Sequence, residues 1–210
     1  AAASIQSPAP GKPRIGGTLK FGIVKDIGTP IPFVAYTSIS QYAKDNLYEP
    51  LVMNDPKGEI HPWLAESWTP NANSSEWTFK IRRGVKFHDG KELTAEDVVW
   101  SVKHIMNPAN GANGQGQLSS NIREVVAVDK YTVKFQLPGP RGLLPEMLSD
   151  TSALHIVAAK SMAPGQQEMI GGAPPPGTGP FKFKAWIPGQ EFEVVRNDQY
   201  WGGAPYLDGV

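Results

Sequence analysis

Side chains able to do chemistry are present in this chain, but their spacing does not gather them. The four histidines, His61, His88, His104 and His155, lie far apart, and no pair shows the i, i+4 step with an intervening Glu that puts two metal ligands on one helix face. No serine sits in a G-x-S-x-G turn, so the strained elbow of an α/β-hydrolase is missing. With no cysteine there is no thiolate nucleophile, thiolate metal site or disulfide framework. The glycines of NGANGQG, residues 110–116, do not fall in a G-x-G-x-x-G register, and no phosphate-loop Lys follows them. Glu92, Glu96 and Asp97 gather where a helix begins, and the helix dipole accounts for them without an acid–base pair. His88 is expected to hydrogen-bond locally in a turn, and His104, near a helix end, to serve the dipole or stand in solvent. No catalytic residue, metal ligand set or cofactor is therefore expected.

The elements that position these groups are legible from periodicity. Residues 77–90, WTFKIRRGVKFHDG, alternate apolar and polar through Trp77, Phe79 and Ile81, as a strand with one buried face does. Gly84 and Asp89-Gly90 then mark turns around a short second strand at Val85 and Phe87. A helix follows, with Thr94 as N-cap and Val98, Val102 and Ile105 on one face, ended by Asn107-Pro108. Residues 107–120 are expected to be a flexible connection, and Asp129-Lys130 to turn a hairpin whose second arm presents Tyr131, Val133, Phe135 and Leu137. Residues 18–24 (TLKFGIV) have strand composition, residues 38–47 suit a short helix with Tyr42 and Leu47 inward, and residues 143–148 suit another helix. Short β segments are expected near Leu51, Ile60 and residues 155–159. The proline-rich stretch 171–180 is the strongest internal boundary, and a last hairpin joins 181–187 to 191–195.

Composition narrows the class. The chain has 210 residues, 40% hydrophobic and 19% charged, with 20 basic and 20 acidic side chains, so no basic field is available for nucleic acid. No apolar run approaches the length that spans a bilayer. Residues 1–15 are small, proline-rich and aperiodic, as expected of a flexible N-terminal tether or of a mature end left after signal-peptide removal. Trp63, Trp68, Trp77 and Trp100 lie on alternating or helical apolar faces and are expected in a core, not on a sugar platform.

Four blocks, in order, carry a resemblance. They are LYEPLV at 47–52 followed by GEIHPWLAESW at 58–68, the 77–90 stretch, LTAEDVVWSV at 93–102, and GTGPFKFKAWIPGQEFEVVRNDQYWGGAPYLDGV at 177–210. Together they are similar to the extracytoplasmic solute-binding proteins of the oligopeptide, dipeptide and nickel type, family 5, which hand solutes to ABC importers. The resemblance implies an α/β, periplasmic binding protein-like two-lobed fold. Family chains are more than twice this length, so the sequence resembles the N-terminal portion: lobe one from 16–46 and 177–210, an inserted α/β subdomain at 47–176, and no second lobe. It further implies capture of a peptide-like solute by lobe closure, without chemical change, and delivery to a membrane permease. A nickel complex, oligosaccharide, opine or haem stands as the alternative solute, and a peptide or sugar hydrolase as the rival class. Partners would be the solute, the ABC permease and the C-terminal remainder of the receptor, in the same polypeptide or as a second chain, with nucleic acid excluded. The place would be periplasmic or extracytoplasmic, free or membrane-tethered. Loops at the ends of lobe-one strands face the cleft in such proteins, which selects Thr29, Phe33 and Tyr36 in DIGTPIPFVAY (26–36), and Gln117 in the subdomain loop, as ligand contacts.

Overall fold

The strongest alternation in the sequence becomes the centre of the molecule. In a computed structural model, which describes residues 13–34, 37–166, 169 and 171–210, strand β4 (Glu76–Ile81) buries Trp77, Phe79 and Ile81 and turns Lys80 to solvent. It lies inside a four-stranded antiparallel sheet of order β3-β4-β6-β5, with β3 at Ala65–Pro70, β5 at Glu124–Asp129 and β6 at Thr132–Gln136. The register sets Trp77 opposite Phe135 and Phe79 opposite Val133, so the inward rows of β4 and β6 coincide. The rings of Phe79 and Phe135 meet edge to face at 5.3 Å, a favoured aromatic geometry. A one-residue slip of either strand would turn its own row outward.

Helix α2 (Ala95–Met106) covers this face with Val98, Val102 and Ile105, all buried. Its start is fixed as the sequence predicts. The Asp97 carboxylate accepts from the Thr94 backbone N–H at 2.8 Å and the Thr94 hydroxyl at 2.9 Å, satisfying groups the helix cannot. The turn glycines also behave as expected, Gly84 at φ 74 and Gly90 at φ 89. The short strand expected at Val85 and Phe87 is reduced to one isolated bridge, Lys86 to Glu92 across the Gly90 turn.

Around this unit lie hairpin β1 (Val52–Asn54) with β2 (Ile60–Pro62), helix α1 (Ser38–Lys44), helix α3 (Gln115–Asn121), helix α4 (Leu144–Leu148), and the closing hairpin of β7 (Phe181–Ile187) with β8 (Glu191–Arg196). Phe181 and Val194 join the same hydrophobic cluster as the sheet and α2.

Four expectations need correction. Residues 107–120 are not a flexible connection: a 3-10 turn at Pro108–Asn110 and helix α3 occupy them, closed by Asn110 Nδ2 donating to the His104 carbonyl at 2.7 Å. Local hydrogen bonds outweigh the glycine content there. Tyr42 is 61% exposed, because a two-turn helix has room to bury one stripe and Ser40, Ala43 and Lys44 take it; Leu47 is buried as expected. Residues 155–159 make a single bridge, Ile156 to Glu49. Residues 18–24 likewise form one bridge, Thr18 to Gly209, leaving Leu19, Phe21, Ile23 and Val24 exposed. A strand needs neighbours for its backbone groups, and among the described residues this stretch has almost none.

Candidate solute-binding site

Segment 28–34 is drawn into the molecule instead of standing on its surface. Pro30, Ile31 and Pro32 are buried, and the Thr29 hydroxyl accepts from the Ile31 N–H at 3.1 Å. The Asn113 N–H donates to the Phe33 carbonyl at 2.7 Å, and the Lys44 ammonium, carried by α1, donates to the Val34 carbonyl. Burial pulls the Lys44 pKa from 10.5 down to about 8, opposed by the nearby Asp45 carboxylate. Phe33 has φ 69, a left-handed conformation that costs a bulky residue about 1–3 kcal/mol. Its ring, packed 5.7 Å from His104, and its bonded carbonyl hold it there. Also from α1, Gln41 Nε2 donates to Thr151 Oγ1 at 2.6 Å. The segment, α1, the loop before α3 and the turn after α4 thus share one neighbourhood.

The residues expected to touch ligand fall in different places. Thr29 and Phe33 are buried, at 9% and 5% exposure. Tyr36 lies outside the described residues. Gln117 is exposed on α3 and lines a groove of about 430 Å³ with Asn121, Arg141, Leu143 and Met147 among its other walls. The structure therefore joins Phe33 to Asn113, not to Gln117 itself. Ahead of the buried segment, Ile23–Ile27 face Trp186, Gly189 and Phe192 across a cavity of about 220 Å³. Here the Asp26 carboxylate accepts from the Gly28 N–H at 2.6 Å and from the Gly189 N–H, tying segment and hairpin together.

The most concentrated polar site is elsewhere. The Glu49 carboxylate, 2% exposed, accepts from Trp63 Nε1 at 2.7 Å, Thr178 Oγ1 at 2.7 Å, the Tyr200 hydroxyl at 2.6 Å and Trp201 Nε1 at 2.9 Å. Burial raises its pKa and the four donors oppose that rise. Arg82 lies 4.6 Å over the Trp201 ring and donates from Nε to the Trp63 carbonyl at 2.9 Å. Burial and the adjoining carboxylate raise the Tyr200 pKa, so its proton stays available to Glu49.

His88 belongs to this junction and corrects the expectation of a local bond. Its Nε2 lies 3.0 Å from the Gly179 carbonyl and its backbone N–H donates to the Gly177 carbonyl at 2.8 Å. Burial lowers its pKa from 6.5 to about 4. A Cβ on Gly177 would come within 1.9 Å of the Leu47 carbonyl oxygen, so only glycine permits that approach. His104 is corrected too: it is buried and stacked on Trp100 at 4.7 Å instead of solvated, and burial lowers its pKa. Of the tryptophans expected in the core, Trp77 is buried, and Trp63, Trp68 and Trp100 pack against the core half-buried. Sequence reasoning missed Glu49, Lys44 and Asp26; only Glu49 carried a signal, as the acid within Tyr-Glu-Pro.

Comparison with known proteins follows the same geometry. Residues 59–210 match the family described as bacterial extracellular solute-binding proteins, family 5 Middle. The oligopeptide-binding protein AppA of Bacillus subtilis (strain 168) is 35% identical over 209 residues, covering 95% of this chain and 37% of AppA. The nickel-binding periplasmic protein of Escherichia coli (strain K12) is 29% identical over 172 residues, 82% of this chain and 32% of that protein. The solved structure of AppA in complex with a nonapeptide superposes with a TM-score of 0.79 over 95% of this chain and 40% of that one, at 29% identity. This chain belongs to the family-5 bacterial extracellular solute-binding proteins and shares their mixed α/β fold. It spans well under half the length of these relatives. Among the described residues no helix is long and apolar enough to cross a membrane.

Proposed function

We propose that this chain is part of the substrate-binding component of an ABC importer, working outside the cytoplasmic membrane, free or tethered through residues 1–15. It captures a peptide-like solute by lobe closure, leaves it chemically unchanged and delivers it to the permease. The 95% coverage of this chain by an oligopeptide-binding relative carries the reading. In this proposal residues 16–46 and 177–210 are lobe one and 47–176 the inserted subdomain. The remainder of the receptor covers the exposed apolar face of Leu19, Phe21, Ile23 and Ile187. Segment 28–36 forms one wall of the cleft, with Thr29 and Phe33 holding its shape from beneath and Tyr36 and Gln117 meeting the solute. Fixing that wall in advance lowers the ordering cost of binding.

Mass spectrometry of solute released from the purified complete receptor tests this, followed by calorimetric titration of what is found. Recovery of intact peptides that rebind saturably is the expected result. A nickel complex or an opine in their place would move the solute class, and turnover of bound peptide would contradict a receptor role.

A further inference from the structure

We propose that the β1–β2 hairpin holds a site for one first-row divalent cation such as Zn2+, made by Asp55, Glu59 and His61. One potential ligand atom from each lies within 4.8 Å of the others. The spacing test for helices passes over this group because it is assembled across a hairpin. Met53 pairs with His61 and Asn54 with Ile60, and the Asp55 N–H donates to the Glu59 carbonyl at 2.9 Å. Glu59, immediately before β2, and His61, within it, bring their ligand atoms together with that of Asp55 across the turn.

The first ligand is already oriented. Asp55 Oδ1 accepts from the Lys57 N–H at 2.8 Å and the Glu59 N–H at 2.9 Å, which leaves Oδ2 directed at His61 Nε2, 3.3 Å away. His61 is the only one of the four histidines classed as exposed; His88 is half-buried and His104 and His155 are buried. An imidazole with two carboxylates differs from an acidic patch: the nitrogen favours Zn2+ or Ni2+ over Mg2+ and Ca2+, which prefer oxygen. Three protein ligands leave a coordination position open to water or to a donor group from another molecule.

The test is equilibrium dialysis of the chain against Zn2+ in chelator-stripped buffer. One saturable equivalent is expected, unaffected by millimolar Mg2+. His61→Ala and Asp55→Asn should each weaken it by about tenfold or more, and Glu59→Gln by less, with unchanged thermal midpoints for His61→Ala and Glu59→Gln because those side chains are exposed. Absence of saturable zinc, wild-type affinity in both His61→Ala and Asp55→Asn, or displacement by Mg2+ would overturn the site.

Discussion

The junction around Glu49 and the segment 28–34 answer opposite demands. At the junction, two of the four blocks, 47–68 and 177–210, converge on the buried Glu49 carboxylate through Trp63, Thr178, Tyr200 and Trp201. The carboxylate is buried, and all four donors are directed to it. Segment 28–34 contains none of those blocks and is held by ordinary backbone carbonyls, yet it follows the exposed stretch beside the cavity at Ile23–Ile27. The family's recognisable residues mark where the chain is tied together, while the segment proposed as the cleft wall carries weaker signatures.

The largest effect should come from the carboxylate itself. Glu49→Ala would strand four donors in a buried site and should cost about 3–5 kcal/mol, read as a lowered urea midpoint. Gly177→Ala, which drives a methyl into the Leu47 carbonyl, should cost about 2–3 kcal/mol by the same measurement. If either variant unfolded at the parent midpoint, the junction would not be the tie described.

Acid should loosen the junction through His88. Its folded pKa, about 4, lies below its ordinary 6.5, so the unfolded chain binds more protons between those values. Stability from this group is present above pH 6.5 and falls as pH drops toward 4, by on the order of 3 kcal/mol. His104 and His155, also lowered by burial, act in the same direction. Glu49 acts in the opposite direction: its raised pKa means protonation above the ordinary 4.5 relieves a buried charge. His88→Asn should flatten part of the profile between pH 6.5 and 4, and an unchanged profile would separate the imidazole from the junction's stability. Smaller still, at about 1–3 kcal/mol, Gly84→Val should strain a turn that needs φ 74, and a melting midpoint equal to the parent's would remove that requirement.

Much of the fold was legible because its signals are local. The alternation of Trp77, Phe79 and Ile81, the Thr94 cap and the Asp129-Lys130 turn each specify an element without reference to distant chain. What escaped depends on distant partners. Residues 18–24 have strand composition but, among the described residues, bridge only Gly209, and the glycine-rich stretch before Ser120 folds because Asn110, Gln115 and Ser119 find α2 carbonyls. The candidate site was legible as a loop but not in its orientation. Alternating prolines do not announce that Thr29 and Phe33 point inward, nor that Lys44 will reach Val34 from the next helix.

The division between tie and wall is tested most directly by measuring stability and solute affinity together in the complete receptor, for Glu49→Gln and Tyr36→Ala. Glu49→Gln should lower the melting midpoint and keep the affinity for the co-purified solute at temperatures where it remains folded. Tyr36→Ala should keep the midpoint and weaken binding by about 1–2 kcal/mol. An affinity lost in Glu49→Gln at unchanged stability, together with wild-type binding in Tyr36→Ala, would place the solute at the junction and contradict the account.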